Sequence, residues 1–409
     1  MARNNTATYG QSYNSSDPYE ERRFVKTSPA RSVFNKENAK SEIQIKKKNI
    51  DSTLAVAVGS LVFIGILMVF SSSLFAASTE KRGFDTLYFV RRQTIAAVIG
   101  FVSMHVVLKF RYQYLKLFAL PLYILSNILL VLVQFVTEEV NGAHRWFDVP
   151  IVGSVQPSEI AKIGLILFLS LVVSRQREVL KTWKSHGYAA FLILITASLV
   201  AWGNLSTGIV VFVIGAAVLF IASPYIFRFI ALISAGGLGV AAFIIFGDPF
   251  RMDRIQAWLN PEAFKDGTGY QTLQSLYAIG SGGLFGLGLG QSRQKMGFIP
   301  EAHTDIIFSI VCEEFGFLGA LLILSLFAIL IWRGIKIALN ATDLFGSFVA
   351  AGITVMIAVQ VILNVAVVTA TIPNTGVPLP FITYGGSSLA ISMFSIGILL
   401  NISRYSKET

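Results

Sequence analysis

An aspartate, Asp305, ends the longest polar segment of this chain and stands directly before a long apolar run. His303, two residues before it, can orient its carboxylate or bind substrate, and Thr304 is a further candidate for binding substrate. A carboxylate at the edge of a basic groove suits a general base, which takes a proton from a reacting hydroxyl group. An aspartate or threonine at a helix start also caps free N–H groups and suits the positive end of the helix dipole. The residues alone slightly favour the capping interpretation.

The polar segment before Asp305 is basic and rich in glycine. Its glycines concentrate between Gly280 and Gly290, where no predicted strand precedes them, so the nucleotide-binding fingerprints fail on context. A basic, glycine-rich segment beside apolar runs favours a site for an anionic, membrane-borne substrate. The cations of this segment are Arg251, Arg254, Lys265, Arg293 and Lys295.

Ionisable residues also occur inside the apolar runs, where they are costly and usually face a cavity or a partner. Glu159 and Lys162 are three positions apart and share one face of a helix. Glu313 and Glu314 are adjacent, about 100° apart around a helix, so they cannot easily both face lipid. A structural ion pair and a contact with substrate both remain open for these four residues.

Arg145 stands beside Trp146 in a shorter polar segment. This pair can clamp a phosphate or a sugar, because the guanidinium group matches the spacing of phosphate oxygens. It also fits an interfacial tryptophan next to an arginine that reaches toward the headgroups. The residues alone favour this second interpretation.

The segment 372–388 predicts an irregular turn before the last apolar run. Three prolines restrict its backbone, and the pair Gly385-Gly386 permits close approach by a ligand or another part of the chain. Irregular backbone at membrane depth is tolerated where it packs in protein or lines a cavity. We therefore expect this turn to form a wall of a site.

The composition determines the class of protein that can present these residues. The chain has 409 residues, of which 54% are hydrophobic and only 14% charged; its mean hydropathy is +0.65. These values exclude an ordinary soluble domain and predict an all-α, polytopic integral membrane protein. The net charge of +10 is explained by cytoplasmic loops and anionic headgroups, so no nucleic-acid partner is expected. The single cysteine, Cys312, excludes an intramolecular disulfide.

The hydropathy pattern predicts about ten transmembrane helices. Positive charge in the loops favours cytoplasmic N and C termini and a large extracellular loop, residues 247–305, between helices 7 and 8. A break at Gly203–Gly208 divides one long uncharged stretch into two helices joined by a short turn. The predicted runs are roughly 52–74, 90–108, 114–136, 158–174, 188–203, 206–222, 227–246, 305–332, 346–370 and 386–403.

The two ends of the chain are polar. Residues 1–49 are basic and contain too little apolar content to fold alone, so they predict a disordered cytoplasmic tail. A solvated anchor is favoured for this tail over a docking segment for a partner. Residues 50–405 form the predicted transmembrane domain, and residues 406–409 form a second, short cytoplasmic tail.

Together, several of these motifs resemble the SEDS family of bacterial cell-wall synthases, which includes FtsW, RodA and SpoVE. The resemblance covers about residues 50–405, and Glu301-Ala302 and the basic N-terminal tail favour the division or sporulation branch. Two departures are visible: Asn204 stands where the family commonly has an aspartate, and Ile306 stands where phenylalanine is common. The motifs are 142–146, Gln156-Pro157-Ser158-Glu159 with Lys162, 300–305 and 378–388.

The resemblance implies a peptidoglycan glycosyltransferase of the bacterial cytoplasmic membrane that polymerises lipid II during cell division or related wall synthesis. It implies that Asp305 deprotonates the 4-hydroxyl of the acceptor sugar and that undecaprenyl pyrophosphate leaves. A class B penicillin-binding protein, membrane lipids and other divisome or elongasome proteins are the expected partners. The candidate substrate-binding residues are Arg145, Glu159, Lys162, Arg293, Lys295, His303, Thr304, Ser387 and Ser388.

The family often needs a divalent cation, Mg or Mn, but the sequence contains no dedicated ligand cluster, and no tightly bound cofactor is expected. Two other functions are compatible with the residues: a lipid II flippase or transporter that uses the buried charges, and a non-catalytic scaffold. A transporter should tolerate Asp305→Ala but not neutralisation of the buried charges. A scaffold should tolerate both.

Overall fold

The computed structural model describes residues 49–79, 85–137, 145–149, 153–175, 182–223, 225–245 and 249–406. Of the predicted N-terminal tail only Asn49 is described, and of the predicted C-terminal tail only Ser406. Of the motif 142–146, only Arg145 and Trp146 fall within these ranges. All described residues belong to one unit that begins at Lys47.

The described chain is almost entirely helical. Two short 3₁₀ turns, Tyr112–Tyr114 and Pro261–Phe264, and one antiparallel hairpin, β1 (Phe147–Val149) with β2 (Gly153–Val155), complete it. The helices are α1 (Ser52–Thr79), α2 (Tyr88–Lys109), α3 (Leu115–Val136), α4 (Pro157–Arg175), α5 (Trp183–Gly203), α6 (Leu205–Ala222), α7 (Ile226–Ile245), α8 (Pro249–Leu259), α9 (Tyr270–Gly282), α10 (Ile307–Asn340), α11 (Leu344–Val368) and α12 (Gly386–Ser403).

Each predicted apolar run coincides with a helix, and eight described helices are long and apolar enough to cross a membrane: α1, α3, α4, α5, α6, α10, α11 and α12. The other two predicted runs correspond to α2 and α7. The first turn of α2 carries Arg91 and Arg92, and the apolar part of α7 is shorter, Ile226–Val240. The all-α membrane class is confirmed, whereas a count of ten crossings stays a prediction.

The predicted break between α5 and α6 is confirmed, and a single residue makes it. The side chain of Asn204 accepts hydrogen bonds from the backbone N–H groups of Ser206 (3.0 Å) and Thr207 (3.2 Å). These N–H groups have no partner within a helix, so Asn204 caps the start of α6. A neutral asparagine performs this local role without the charge of an aspartate.

Helix α4 lies at the centre of the bundle, between α3, α6 and α11. Its sequence is apolar on every side, which is the pattern of a buried helix. Small residues permit the close approach, since a Cβ at Gly164 would lie only 3.0 Å from the Ser126 hydroxyl oxygen. The functional residues at the N-terminal end of α4 are therefore held on a buried helix.

Helix α10 was predicted as one crossing from 305 to 332, and this is wrong in two respects. The helix spans 34 residues, about 51 Å at ~1.5 Å per residue, which exceeds the ~30 Å of a bilayer core. Gly316 has φ 66° and ψ −166°, which are not helical, so the chain bends there. A short first segment, residues 307–315, therefore precedes the membrane-length part of α10.

The glycine-dense segment before Asp305 packs against this bend. The backbone N–H of Leu287 donates to the Glu313 carbonyl (2.9 Å), and Phe317 N–H donates to the Gly283 carbonyl (2.9 Å). These bonds satisfy backbone groups that a continuous helix would pair internally. A Cβ at Gly286 would overlap the Glu314 carbonyl, so close backbone approach requires glycine there.

Candidate active site around Asp305

Asp305 lies two residues before α10, outside the helix whose N-cap is Ile306. Its half-buried carboxylate accepts a hydrogen bond from the Thr304 hydroxyl (3.0 Å) and another from its own backbone N–H. The carboxylate thus bonds to its immediate neighbours instead of capping the first turn of α10. The capping interpretation is therefore wrong, since no side chain caps the first turn of α10.

The backbone of Asp305 is held by a buried asparagine of α11. The Asn364 side-chain amide donates to the Asp305 carbonyl (2.6 Å) and to the Val377 carbonyl (2.9 Å). One side chain thus joins Asp305 to the proline-rich turn. A polar residue in an apolar helix is costly unless it is satisfied, and the side-chain N–H donors of Asn364 are satisfied by the two carbonyls that they hold in place.

The proline-rich turn forms a wall beside Asp305, as predicted. Gly376 has φ 66°, and a Cβ there would lie 3.7 Å from Asp305 Oδ2. The Thr383 hydroxyl donates to the Thr304 carbonyl (3.3 Å) and accepts from Leu379 N–H (2.9 Å). The side of the carboxylate that faces Gly376 is therefore free of side-chain bulk.

Helix α2 supports the same turn through Gln93, which is fully buried. Its side-chain amide donates to the Thr383 carbonyl (3.2 Å), and its carbonyl oxygen accepts from Gly385 N–H (3.2 Å). Both ends of one amide are thus satisfied by the backbone of the turn. These two hydrogen bonds fix the position of the turn along α2.

His303 takes a structural position next to the site. Its buried ring lies between Phe89, with centroids 4.3 Å apart, and Tyr384, with centroids 5.4 Å apart. Its carbonyl accepts a hydrogen bond from Tyr384 N–H (3.0 Å). The side-chain hydrogen bond to the Asp305 carboxylate comes from Thr304, to which the sequence did not assign this role.

Arg254 supplies positive charge near Asp305, and Arg145 lies near Arg254. Arg254, on α8, interacts electrostatically with Asp305 and also with Arg145. Helix α8 is fixed by Trp258, whose indole N–H donates to the Ala370 carbonyl (2.8 Å). Arg145 is fixed by its Nε–H, which donates to the Gly203 carbonyl (2.8 Å). The structure thus brings the predicted cation Arg145 together with Arg254, two like charges that an anion would stabilise.

The environment of Asp305 adjusts its basicity. Burial raises the pKa of its carboxyl above the ordinary value, whereas the Thr304 hydroxyl, its own N–H group and Arg254 lower it, and burial dominates. Burial and the charge of Arg254 both lower the pKa of Arg145. A carboxylate with a raised pKa accepts a proton more readily near neutral pH, as a general base requires.

Lys295 does not lie on the surface of the loop. Its Nζ donates to Glu314 Oε1 (2.6 Å) and to the Ser71 hydroxyl (2.8 Å), and all three side chains are buried. Its expected contact with substrate is corrected to an internal ion pair, because a buried cation requires a fixed anion. Arg293 is exposed, and its backbone N–H donates to Glu313 (2.9 Å).

Glu159 and Lys162 form a buried ion pair at the start of α4, with Lys162 Nζ 2.8 Å from Glu159 Oε1. Each charge is therefore satisfied within one helix face. Near this pair, the Ser387 hydroxyl accepts a hydrogen bond from Gln156 N–H (3.3 Å), and Ser388 lies beside Ser387 in the first turn of α12. The four residues lie where α4 meets α12.

The sequence identifies Arg254 only as one of several loop cations, and it does not single out Asn364, Thr383 or Gln93. Lone amides in apolar runs are a signal, since an unsatisfied amide is costly there. Their partners, however, are backbone groups 13 to 292 positions away in the chain. No local pattern identifies such partners.

The described residues do not provide a protein-bound metal site. Among them, no group of three or more His, Cys, Asp or Glu side chains is arranged to hold an ion. The positive charge of Arg254 near Asp305 also opposes a cation held by protein ligands there. The residues therefore do not fit a resident divalent cation.

Comparison with known proteins gives a consistent result across the chain. The family model described as "Cell cycle protein", for FtsW, RodA and SpoVE, matches residues 52–408. Stage V sporulation protein E of Bacillus subtilis is 41% identical over 368 residues, covering 88% of this chain and 99% of that protein. An FtsW of Trichlorobacter lovleyi, named as a peptidoglycan glycosyltransferase, is 38% identical over 359 residues, covering 86% and 93%.

Solved structures share the architecture. A chain from a peptidoglycan synthase complex that coordinates polymerization and crosslinking superimposes with a TM-score of 0.72 at 27% identity, covering 88% of this chain and 99% of that chain. The rod shape determining protein RodA of Thermus thermophilus gives a TM-score of 0.64 at 27% identity, covering 88% and 98%. The chain is therefore a multi-pass membrane protein and belongs to the FtsW, RodA and SpoVE family of cell cycle proteins.

Proposed function

We propose that this protein is a peptidoglycan glycosyltransferase that polymerises lipid II at the outer face of the cytoplasmic membrane. The observation that carries this proposal is the half-buried carboxylate of Asp305, which interacts electrostatically with Arg254 and lies just before a membrane helix. A base near a cation suits attack by a hydroxyl group on a donor that carries a pyrophosphate. The named activities of similar proteins support the same reaction.

In the proposed reaction, Asp305 takes the proton of the acceptor 4-hydroxyl. The resulting oxygen forms a bond to the anomeric carbon of the donor sugar, and the bond from that carbon to the pyrophosphate breaks. Undecaprenyl pyrophosphate leaves with the electron pair of the broken bond. Arg145 and Arg254 offset the charge that develops on the leaving oxygen, an effect that grows in the transition state.

A class B penicillin-binding protein is the proposed partner, supported by the similarity to a chain of a synthase complex. Membrane lipids surround the helices, and other divisome or elongasome proteins complete the proposed assembly. Any divalent cation would need the phosphate oxygens of the substrate as ligands, because the described residues provide too few.

A flippase receives no support from the buried charges. Lys162 is paired with Glu159, and Glu314 with Lys295, at 2.8 and 2.6 Å. A transport path needs ionisable groups that face a cavity or exchange partners. These pairs are instead packed inside the protein. A non-catalytic scaffold has no need of a half-buried carboxylate near an arginine.

The test is polymerisation of lipid II by the purified protein with its penicillin-binding partner, comparing wild type with Asp305→Asn. Asparagine keeps the size of the side chain but cannot accept the proton, so we expect the rate to fall about 10²- to 10⁴-fold. Asp253→Asn is the matched control, since this exposed acid on α8 undergoes the same change of charge nearby. Wild-type polymer from Asp305→Asn, with a verified complex, would refute the assignment of the base.

A further inference from the structure

Two adjacent glutamates of α10 bind the segment 292–305, which leads to Asp305 and is called the loop below. Glu313 accepts hydrogen bonds from the Ser292 hydroxyl and from Arg293 N–H. Ser292 and Glu313 are both about 1% exposed. The Glu313 carboxylate thus binds the first two residues of the loop, Ser292 and Arg293.

The second glutamate holds the same loop and also α1. Glu314 accepts from Lys295 Nζ at 2.6 Å and from the Ser71 hydroxyl at 2.7 Å, while Lys295 Nζ also donates to Ser71 at 2.8 Å. Lys295 and Glu314 are almost completely buried. We call Ser71, Ser292, Lys295, Glu313 and Glu314 the glutamate cluster.

The glutamate cluster closes the chain on itself around Asp305. The loop leaves the cluster at Lys295, passes Asp305 and returns through the first segment of α10 to Glu313 and Glu314. Glu313 is eight residues after Asp305, which corresponds to about 12 Å along a helix. Asp305 therefore lies at one end of a closed loop and the cluster at the other.

This segment needs such a connection, because α10 bends at Gly316 immediately after the cluster. A short helix of residues 307–315 is not made rigid by the long helix that follows the bend. Its far end is held by Asn364 and by the turn at Thr383. At the near end, the backbone N–H groups of Leu287 and Gly288 bond to the Glu313 and Glu314 carbonyls. The cluster adds side-chain attachments at the same place, and attachments at both ends fix the position and the direction of the short helix.

Stability alone does not account for this arrangement. A buried ion pair often stabilises a fold less than apolar residues of the same size, and its better-attested use is to specify one arrangement. Lys295 can approach Glu314 only when the loop, α1 and α10 are in register. The cluster therefore favours one placement of the loop over others that would bury similar apolar area.

We propose that Lys295, Glu313 and Glu314 are positioning residues, which set the placement of Asp305 relative to Arg254 and Arg145. The inference rests on the proposed function of Asp305. Ser71 joins α1 to the glutamate cluster, so the position of α1 along α10 also affects the placement of Asp305. None of these residues touches the substrate.

The test is the double variant Lys295→Met/Glu314→Gln, assayed with the partner present. It removes both charges together, so no unpaired charge is buried, and the glutamine can still bond to Ser71. We expect kcat to fall about tenfold or more while KM changes less than about twofold, since a displacement near 1 Å can cost about 10²-fold. Lys116→Met/Asp343→Asn is the control, because it removes an ion pair of 2.9 Å far from Asp305 in the chain and should leave kcat unchanged.

Wild-type kcat in the folded double variant overturns the proposal, as does a raised KM with kcat intact. If the double variant fails to fold, Ser71→Ala and Lys295→Arg take its place. We then expect a lower kcat for Ser71→Ala and near wild-type kcat for the conservative Lys295→Arg. An unchanged kcat for Ser71→Ala would contradict the role of the cluster.

Hydrogen exchange separates this proposal from the proposed function. If the wild-type protein makes no polymer, the glycosyltransferase assignment fails, and exchange of the amides at 306–315 still tests the cluster. Faster exchange there in the double variant, but not in the Lys116/Asp343 control, supports the positioning role. Equal exchange in all three proteins overturns it.

Discussion

Replacing Asn364 with leucine tests whether the backbone of Asp305 must be held in place. Asn364 is fully buried, and its amide donates to the carbonyls of Asp305 (2.6 Å) and Val377 (2.9 Å). Leucine has a similar size but no donor, so both bonds disappear with little change in packing. The Asn364 Oδ1 atom has no hydrogen-bond partner among the described residues, so its removal costs nothing.

The expected magnitude follows from the two donated bonds. Each contributes about 0.5–1.5 kcal/mol net, so their loss costs about 1–3 kcal/mol. If the whole loss is felt in the placement of the carboxylate, kcat falls about 5- to 150-fold. KM should change much less, because Asn364 lies behind the site and supports Asp305 only through its backbone.

The assay is steady-state polymerisation of lipid II by the complex with its penicillin-binding partner. Thr354→Val on the same helix is the control, since the Thr354 hydroxyl bonds only within α11, to the Ala350 carbonyl (2.7 Å). A kcat within twofold of wild type for Asn364→Leu, in a protein of normal thermal stability, would refute the idea that this amide positions Asp305.

Two further expectations concern charge and packing. Asp305 must be deprotonated to act, and burial raises its pKa, so activity should fall as the pH is lowered and should do so at a higher pH than for an ordinary aspartate. Because Arg254 lowers this pKa, Arg254→Met should move the loss of activity to a still higher pH. Lys265→Met, at an exposed lysine, is the control. Equal pH profiles for the Arg254→Met and Lys265→Met variants would contradict the electrostatic interaction between Arg254 and Asp305. Gly286→Ala should lower the thermal midpoint more than Gly290→Ala, since both glycines have φ near 80° but only Gly286 meets backbone within 4 Å; equal losses would mean that strain alone acts.

The membrane fold could be predicted because its signal is local. Each helix needs about 20 apolar residues, and every such run in the sequence corresponds to a helix. The Asn204 turn was visible for the same reason, since glycines and a capping residue interrupt an uncharged stretch. The residues alone slightly favoured a helix cap for Asp305, and the resemblance of the motif 300–305 to the SEDS family identified it as the expected base.

The bend in α10 could not be predicted from its own residues. Gly316 stands among apolar residues on both sides, and a glycine within a helix is normally tolerated at a cost of about 1 kcal/mol. What makes the bend stable is the segment 283–288, which supplies hydrogen bonds to the broken backbone. A partner some thirty positions earlier leaves no trace in the periodicity of α10.

Lys295 shows that the residue type of a loop cation does not predict whether its side chain is exposed or buried in an ion pair. Its neighbours in sequence, Arg293 and Met296, are both exposed, and nothing local distinguishes a buried ammonium group from them. The fate of Lys295 is decided by Glu314, whose own burial was anticipated without its partner. Each half of this ion pair was visible, but the pairing depends on how the loop folds back onto α10.

The placement of charge around Asp305 reconciles two opposing demands of the proposed reaction. The base must hold a proton weakly enough to be ionised when the acceptor arrives, yet strongly enough to take one from a hydroxyl group. Burial strengthens its hold and Arg254 weakens it, so one cation adjusts the base. In the proposed reaction the same cation, with Arg145 near it, offsets the charge that develops on the leaving pyrophosphate. Because Arg145, Arg254 and Asp305 come from three separate parts of the chain, a change in the placement of any one of them alters both the base and the stabilisation of the leaving group.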